Sequence, residues 1–297
     1  MGRALYDGQI RRIHDDACLF FQSRILQGQG NRRKVSLAVL FCKINIILAV
    51  GYINFHVLGK LIDQHIQSEA DITLLYHAVD NAKDAYLNCN ILNLNKQKGV
   101  LSIEPNHGNA KNRNIFMDTY IMKKDLFIEL IRKAKAISSA FTLADIINEL
   151  HNELDVRGVS HRGFFASITD FQSYYNANMD LIDIKAAQTL FDPEWPIYTR
   201  TNDSCPTHYY ETAQIRNSVV SNGCQVEGTI ENSILGRGCI IHKNAVIKNS
   251  VVLSGAEIGE GVHVENQVVD KMVKILHVKE VVSDPALPGY IKRRDIL

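Results

Sequence analysis

"SILGRGCIIHKNAVIKNSVVLSGAEIGEGVHV", Ser233 to Val264, sets Ile234, Ile240, Val246, Val252, Ile258 and Val264 six residues apart. A helix repeats its buried side every three or four residues and a sandwich strand every two, so neither produces this interval. A second row, Leu235, Ile241, Ile247 and Leu253, keeps the same spacing. Two residues ahead of the last five members of the first row stand Gly238, Asn244, Ser250, Ala256 and Val262, mostly small. Three short strands joined by three tight corners return an inward side chain at this interval, and small residues relieve crowding at the corners. That coil is the hexapeptide parallel β-helix. The first row is expected to face inward, so that aspartate at Val246 would unfold the coil by burying an unpaired carboxylate.

The chain around this stretch has 297 residues, enough for two ordinary domains. Charged residues make up 22% and hydrophobic ones 46%, the balance of a globular protein. A net charge of +1 gives no global field for nucleic acid or an anionic membrane. Six scattered cysteines form no C-x-x-C pair and no metal-ligand spacing, which implies reduced thiols and a cytoplasmic setting, with Cys224 and Cys239 packing as small hydrophobes. Val35 to Ile53 is strongly apolar behind Asn31-Arg32-Arg33-Lys34. Lys43 and Asn45 interrupt it, however, and buried parallel strands give the same apolar runs, so no membrane span is expected.

Residues 1–192 read as an α/β domain. Asp71–His77 and Gly99–Pro105 have strand character, and Asp125–Ala136 is a helix with cations in its last turns. Thr142 and Asp145 form a capping box ahead of a helix that buries Leu143, Ile146, Ile147, Leu150 and Leu154. Asp192-Pro193-Glu194-Trp195-Pro196 punctuates the end of this region, leaving 193–212 as a linker and 213–297 as the β-helix.

The stretches His65–His77, Asn114–Ile131, Ser173–Asp183 and Pro196–Leu235 resemble glucose-1-phosphate adenylyltransferase, the ADP-glucose pyrophosphorylase family, over roughly residues 46–297. More narrowly they are similar to its glycogen-biosynthesis regulatory-type subunit. The resemblance implies an incomplete Rossmann-like nucleotidyltransferase domain followed by a left-handed β-helix. It implies a partner, the catalytic adenylyltransferase subunit, in a hetero-oligomer expected to be a tetramer. Mg2+ and ATP are implied only if the family's activity is retained.

Several family features are missing. Tyr52, after Gly51, stands where catalytic relatives carry one metal-binding carboxylate. Gly163–Thr169, "GFFASIT", puts Ala166 at the family's arginine and Ser167 at its second aspartate. Glu104-Pro105 lacks the lysine of the family's Glu-Lys-Pro contact. No glycine-rich phosphate loop is present, and Gly28-x-Gly30 reads as loop, so the domain reads as truncated at its N-terminus. The expectation is a non-catalytic or weakly active subunit with no catalytic residue and no metal ligand. Two alternatives stand beside it. An active transferase would use displaced carboxylates such as Asp63, Asp71 or Asp118. A hexapeptide acyltransferase would use His242 or His263, which otherwise read as solvated corner residues. Arg32, Arg33, Lys292 and Arg293 are candidate contacts for a phosphate effector, because arginine forks suit anionic oxygens.

Overall fold

Alternation of apolar runs with amphipathic ones builds a layered α/β unit in the first half of the chain. The computed structural model describes residues 37–41, 55–87, 89–190 and 203–297. The first unit holds strands β1 (Leu37–Phe41), β2 (Ile72–Val79), β3 (Asn90–Leu94), β4 (Val100–Pro105), β5 (Arg113–Lys123) and β6 (Val156–Ser160), with helices α1 (Phe55–Ser68), α2 (Lys124–Ile137) and α3 (Leu143–Glu149). Together the strands make one sheet in the order β4-β3-β5-β2-β6, with β1 against β5. Only β2 and β6 run parallel; the other pairings are antiparallel.

Helices cover both faces of the sheet because its strands are apolar on both. Ile72, Leu74, Phe116, Tyr120 and Met122 pack under Leu130 and Ala134 of α2 and Ile146 and Ile147 of α3. Leu75, Met117 and Ile121 face Leu61 of α1. The expected capping box is formed: Thr142 Oγ1 accepts from Asp145 N–H at 3.2 Å and Asp145 accepts from Thr142 N–H at 2.8 Å. Within the apolar run Val35–Ile53 the described part is β1, and among the described residues no helix is long and apolar enough to cross a membrane.

The second unit is a parallel β-helix of three five-stranded sheets. Successive coils advance by 15 or 17 residues rather than 18, as in Gln225↔Ile240↔Glu257↔Lys274, except for the last step of the third sheet, Gln267↔Gly289, which takes 22. From Leu235 onward the inward, fully buried strand side chains are Leu235, Ile241, Ile247, Val252, Ile258, Val264, Val269 and Ile275. Their spacing runs six, six, five, and the short step corrects the expected register. Ile234, Ile240 and Val246 point outward: Ile240 lies in register with Gln225 and Glu257, and Val246 with Thr229 and His263. From Val252 onward the first row does face the core, because one residue is dropped between Ile247 and Val252.

The dropped residue has a local cause. Asn217, Asn232, Asn249 and Asn266 hold left-handed φ values between 43° and 54°, a conformation asparagine tolerates, and they turn the chain tightly. The corner is laced from coil to coil. Asn217 Nδ2 donates to Asn232 Oδ1 at 2.9 Å, and Asn232 Nδ2 to Asn249 Oδ1 at 2.7 Å. The next residue repeats the pattern: Ser218 Oγ accepts from Ser233 N–H, Ser233 Oγ from Ser250 N–H and Ser250 Oγ from Gln267 N–H. At another corner Gly223, Gly238 and Gly255 take φ of 67–80° beside the buried column Cys224, Cys239 and Ala256.

The coil begins at His208–Tyr209, ahead of the expected residue 213. Helices α4 (Phe171–Asp180) and α5 (Ile184–Leu190) belong to this second unit, not to the α/β domain that was expected to run to residue 192. Tyr175 of α4 packs on Val251 and Val268 of the third sheet, and its hydroxyl donates to the Asn249 carbonyl at 2.6 Å. Asp192–Pro196, read as a linker, lies outside the described residues.

Candidate functional site

In open α/β sheets ligands gather at the carboxyl ends of parallel strands, which directs attention to the ends of β2 and β6. His77 lies near the carboxyl end of β2, and β6 leads into the loop His161–Asp170 that carries Phe165, Ala166 and Ser167. His77 Nδ1–H donates to the His161 carbonyl at 3.1 Å. His161 Nε2 lies 3.1 Å from Gly163 N and 3.4 Å from Phe164 O, and the shorter contact makes it an acceptor. Burial holds both imidazoles below their ordinary pKa, so at neutral pH they are uncharged.

Phe165 is sandwiched. The ring of His77 stacks on it at 5.0 Å and that of Tyr86 at 5.7 Å. In the same loop Ser167 is 6% exposed and its Oγ sits 3.3 Å from Sγ of Cys89, itself 1% exposed. Ala82, Ile91 and Ile115 complete the surroundings of Cys89. The crevice where the resemblance locates a carboxylate and an arginine is thus packed with neutral groups, Ser167 and the buried Ala166. A hydroxyl and a thiol in apolar surroundings do not fit a hard cation such as magnesium, which takes carboxylate and water oxygens in an octahedron. Tyr52 lies outside the described residues. Glu104 on β4 accepts from Asn93 Nδ2 at 2.7 Å.

The displaced carboxylates do not assemble a substitute. Asp63 is exposed on α1, and Asp71 accepts from Asp155 N–H at the amino end of β2, the far end from His77. Asp118 occupies a left-handed bulge in β5 (φ 45°), opposite a break in register between Leu74 and Tyr76. Among the described residues no three His, Cys, Asp or Glu side chains gather as a metal site. Burial pushes Asp118 up to about 6. Because its folded pKa lies above the unfolded value near 4, the carboxyl destabilises the fold above that value, increasingly so up to pH 6. Asp118→Asn, which tolerates the same φ, should raise stability at pH 7 by about 1–2 kcal/mol, with the gain gone near pH 4. Urea titrations at the two pH values test this; equal differences at both would show a hydrated carboxylate.

On the β-helix, His242 Nε2 lies 3.2 Å from Glu257 Oε1, and that glutamate also binds Lys274 Nζ at 2.8 Å. His263 Nε2 lies 3.1 Å from Glu265 Oε2. Both histidines sit outward and partly exposed, each beside a glutamate. Lys292 and Arg293 are exposed after the last strand of the third sheet, Gly289–Ile291, while Arg32 and Arg33 lie outside the described residues. Sequence reasoning missed His77, Tyr86 and Cys89. His77 shares its strand face with Val79, a parity visible in the strand, but Cys89 carries no signal.

An α/β unit with a hexapeptide coil is a layout found among nucleotidyltransferases, and comparison with known proteins agrees with it. Residues 205–288 match a family model described as GlmU-like, C-terminal hexapeptide. The chain is similar to glucose-1-phosphate adenylyltransferase of Bacillus thuringiensis (strain Al Hakam), 25% identical over 216 residues, which is 71% of this chain and 56% of that protein. The enzyme of the same name from Acetivibrio thermocellus is 28% identical over 221 residues, 73% of this chain and 51% of its own length. The chain therefore spans about half the length of the curated relatives it matches.

Proposed function

We propose that this protein is a non-catalytic or weakly active subunit accompanying a catalytic glucose-1-phosphate adenylyltransferase in cytoplasmic ADP-glucose and glycogen synthesis. One observation carries the reading: Ser167, where the resemblance places a family aspartate, is buried against Cys89 two residues after the stacked ring of Phe165. Nucleotidyl transfer builds negative charge between attacking and leaving oxygens, and enzymes stabilise it with metal ions and cations placed beforehand. Ser167 and Ala166 supply neither a metal ligand nor a positive charge at their two positions. What remains is a folded sheet with a β-helix, suited to assembly with a competent subunit in a hetero-oligomer.

The test has two arms. Purified protein with ATP, glucose 1-phosphate and magnesium should form no ADP-glucose above background. Co-expressed with the catalytic adenylyltransferase of the same organism, it should co-purify and shift that enzyme's response to substrate. Turnover by the lone protein on the scale of ordinary enzymes, about 1 per second or faster, would refute the proposal. So would failure to associate with the catalytic chain.

A further inference from the structure

β3 and β5 meet in register at the single pair Ile91↔Ile115, and beyond it the two strands part. Between them, where β2 ends, lies a cleft of about 360 Å³. Leu92 and Leu94 give it apolar wall, and Asn93, Asn112, Arg113 and Asn114 give it polar wall. The two Nδ2 hydrogens of Asn93 are engaged by Ser102 Oγ at 2.8 Å and Glu104 Oε1 at 2.7 Å, and Asn114 Nδ2 spans the parted strands to the Leu92 carbonyl at 3.4 Å. Arg113 differs from its neighbours: its Nε is buried and has no hydrogen-bond partner. A buried donor without an acceptor is costly and uncommon, and a guanidinium edge is shaped for paired oxygens of one anion.

We propose that this cleft binds a small ligand bearing an oxyanion, a phosphate ester or a carboxylate. Arg113 holds the anion, the asparagine side chains meet neighbouring polar groups, and a short carbon skeleton lies on Leu92 and Leu94. The charges at this end of the sheet favour an anion. Lys111 precedes Arg113, and Lys96 and Lys98 occupy the β3–β4 hairpin, against Asp80 after β2 and Glu104, which Asn93 already engages. Neither Ser167 nor Cys89 lines the cleft, so the assignment does not depend on the catalytic status of the protein.

Titration calorimetry of the full chain with inorganic phosphate, glycerol 3-phosphate and succinate, each against sodium chloride of matched ionic strength, tests it. Saturable binding of at least one of the three is expected. Arg113→Ala should weaken it about tenfold or more, while Arg113→Lys, which keeps the charge and loses the fork, should retain part of it. Asn112 is exposed, so Asn112→Ala reports on the cleft without loading the fold, and a several-fold loss is expected. Binding of phosphate and its ester without succinate assigns a phosphorylated ligand; the reverse assigns a carboxylate. No saturable binding of any probe overturns the proposal, as does an affinity unchanged in Arg113→Ala. Should that variant not fold, unchanged affinity in both Arg113→Lys and Asn112→Ala overturns it.

Discussion

Ile247→Asp should unfold the β-helix, while Val246→Asp, one residue earlier, should leave it folded. Ile247 is fully buried in the middle of the second sheet, in register with Ile230 and Val264 on the coils either side. Losing its side chain costs about 2–4 kcal/mol, and an unpaired carboxylate in its place adds several more. The sum, about 5 kcal/mol or more, approaches the whole stability of an ordinary domain. Val246 is half-buried and outward, flanked by Thr229 and His263, so an aspartate there reaches water and a basic neighbour. Its cost should be about 1 kcal/mol or less. Thermal unfolding of the two variants separates the registers: melting of Val246→Asp below Ile247→Asp would return Val246 to the core.

This contrast shows how far the fold could be read from the chain. An interval of six announces a coil, because any three-cornered prism must repeat near it. Which row faces inward is decided instead by neighbours one coil away. Ile240 heads a column with Glu257 and Lys274, whereas Ile241 heads one with Ile258 and Ile275. Only a step of 17 exposes that difference, and the step is written in the corners as Asn232-Ser233, Asn249-Ser250 and Asn266-Gln267. An isolated Asn-Ser reads as an ordinary turn; its meaning lies in the ladder it forms with its copies. The same limit applied to Tyr175, whose partners Val251 and Val268 lie more than seventy residues along the chain.

The site was legible in a different way. Ser167 stood out because the family resemblance leads one to expect a carboxylate there, an expectation that needs no structure. The company its loop keeps was not legible, since Cys89 meets Ser167 from the stretch before β3, while Tyr86 of that same stretch and His77 of β2 meet the neighbouring Phe165. Apolar and aromatic residues that fill a crevice carry the same periodic signal as residues that fill a core. Asp118 gives the converse case: a carboxylate in an apolar strand invites a catalytic reading, and the structure puts it alone on a bulge.

Restoring the family's aspartate at Ser167 should therefore damage the protein rather than revive it. Ser167→Asp places a carboxylate at a position where the serine is 6% exposed, beside a Cys89 that packs with Ala82, Ile91 and Ile115, in a loop whose neighbouring histidines are neutral. Desolvation with no cation nearby should cost about 3–5 kcal/mol at pH 7. The sign with pH follows from the direction of the shift. Burial raises the folded pKa of the new carboxyl above its unfolded value of about 4, so the proton stays on in both states below pH 4 and the electrostatic penalty vanishes there. Above pH 4 the penalty grows by about 1.4 kcal/mol per pH unit until the folded pKa is reached, and then levels off. Ser167→Ala, which loses only a weak hydroxyl–thiol contact, should cost about 1 kcal/mol or less at either pH. Urea unfolding of the three proteins near pH 4 and pH 7 measures all of this. A Ser167→Asp protein as stable as the parent at pH 7 would mean that the crevice is wet and open. Formation of ADP-glucose by that variant would mean that a single carboxylate was all the site had lost. Either result would remove the ground for a non-catalytic subunit, because that reading depends on a crevice that has been filled and not merely stripped of one ligand.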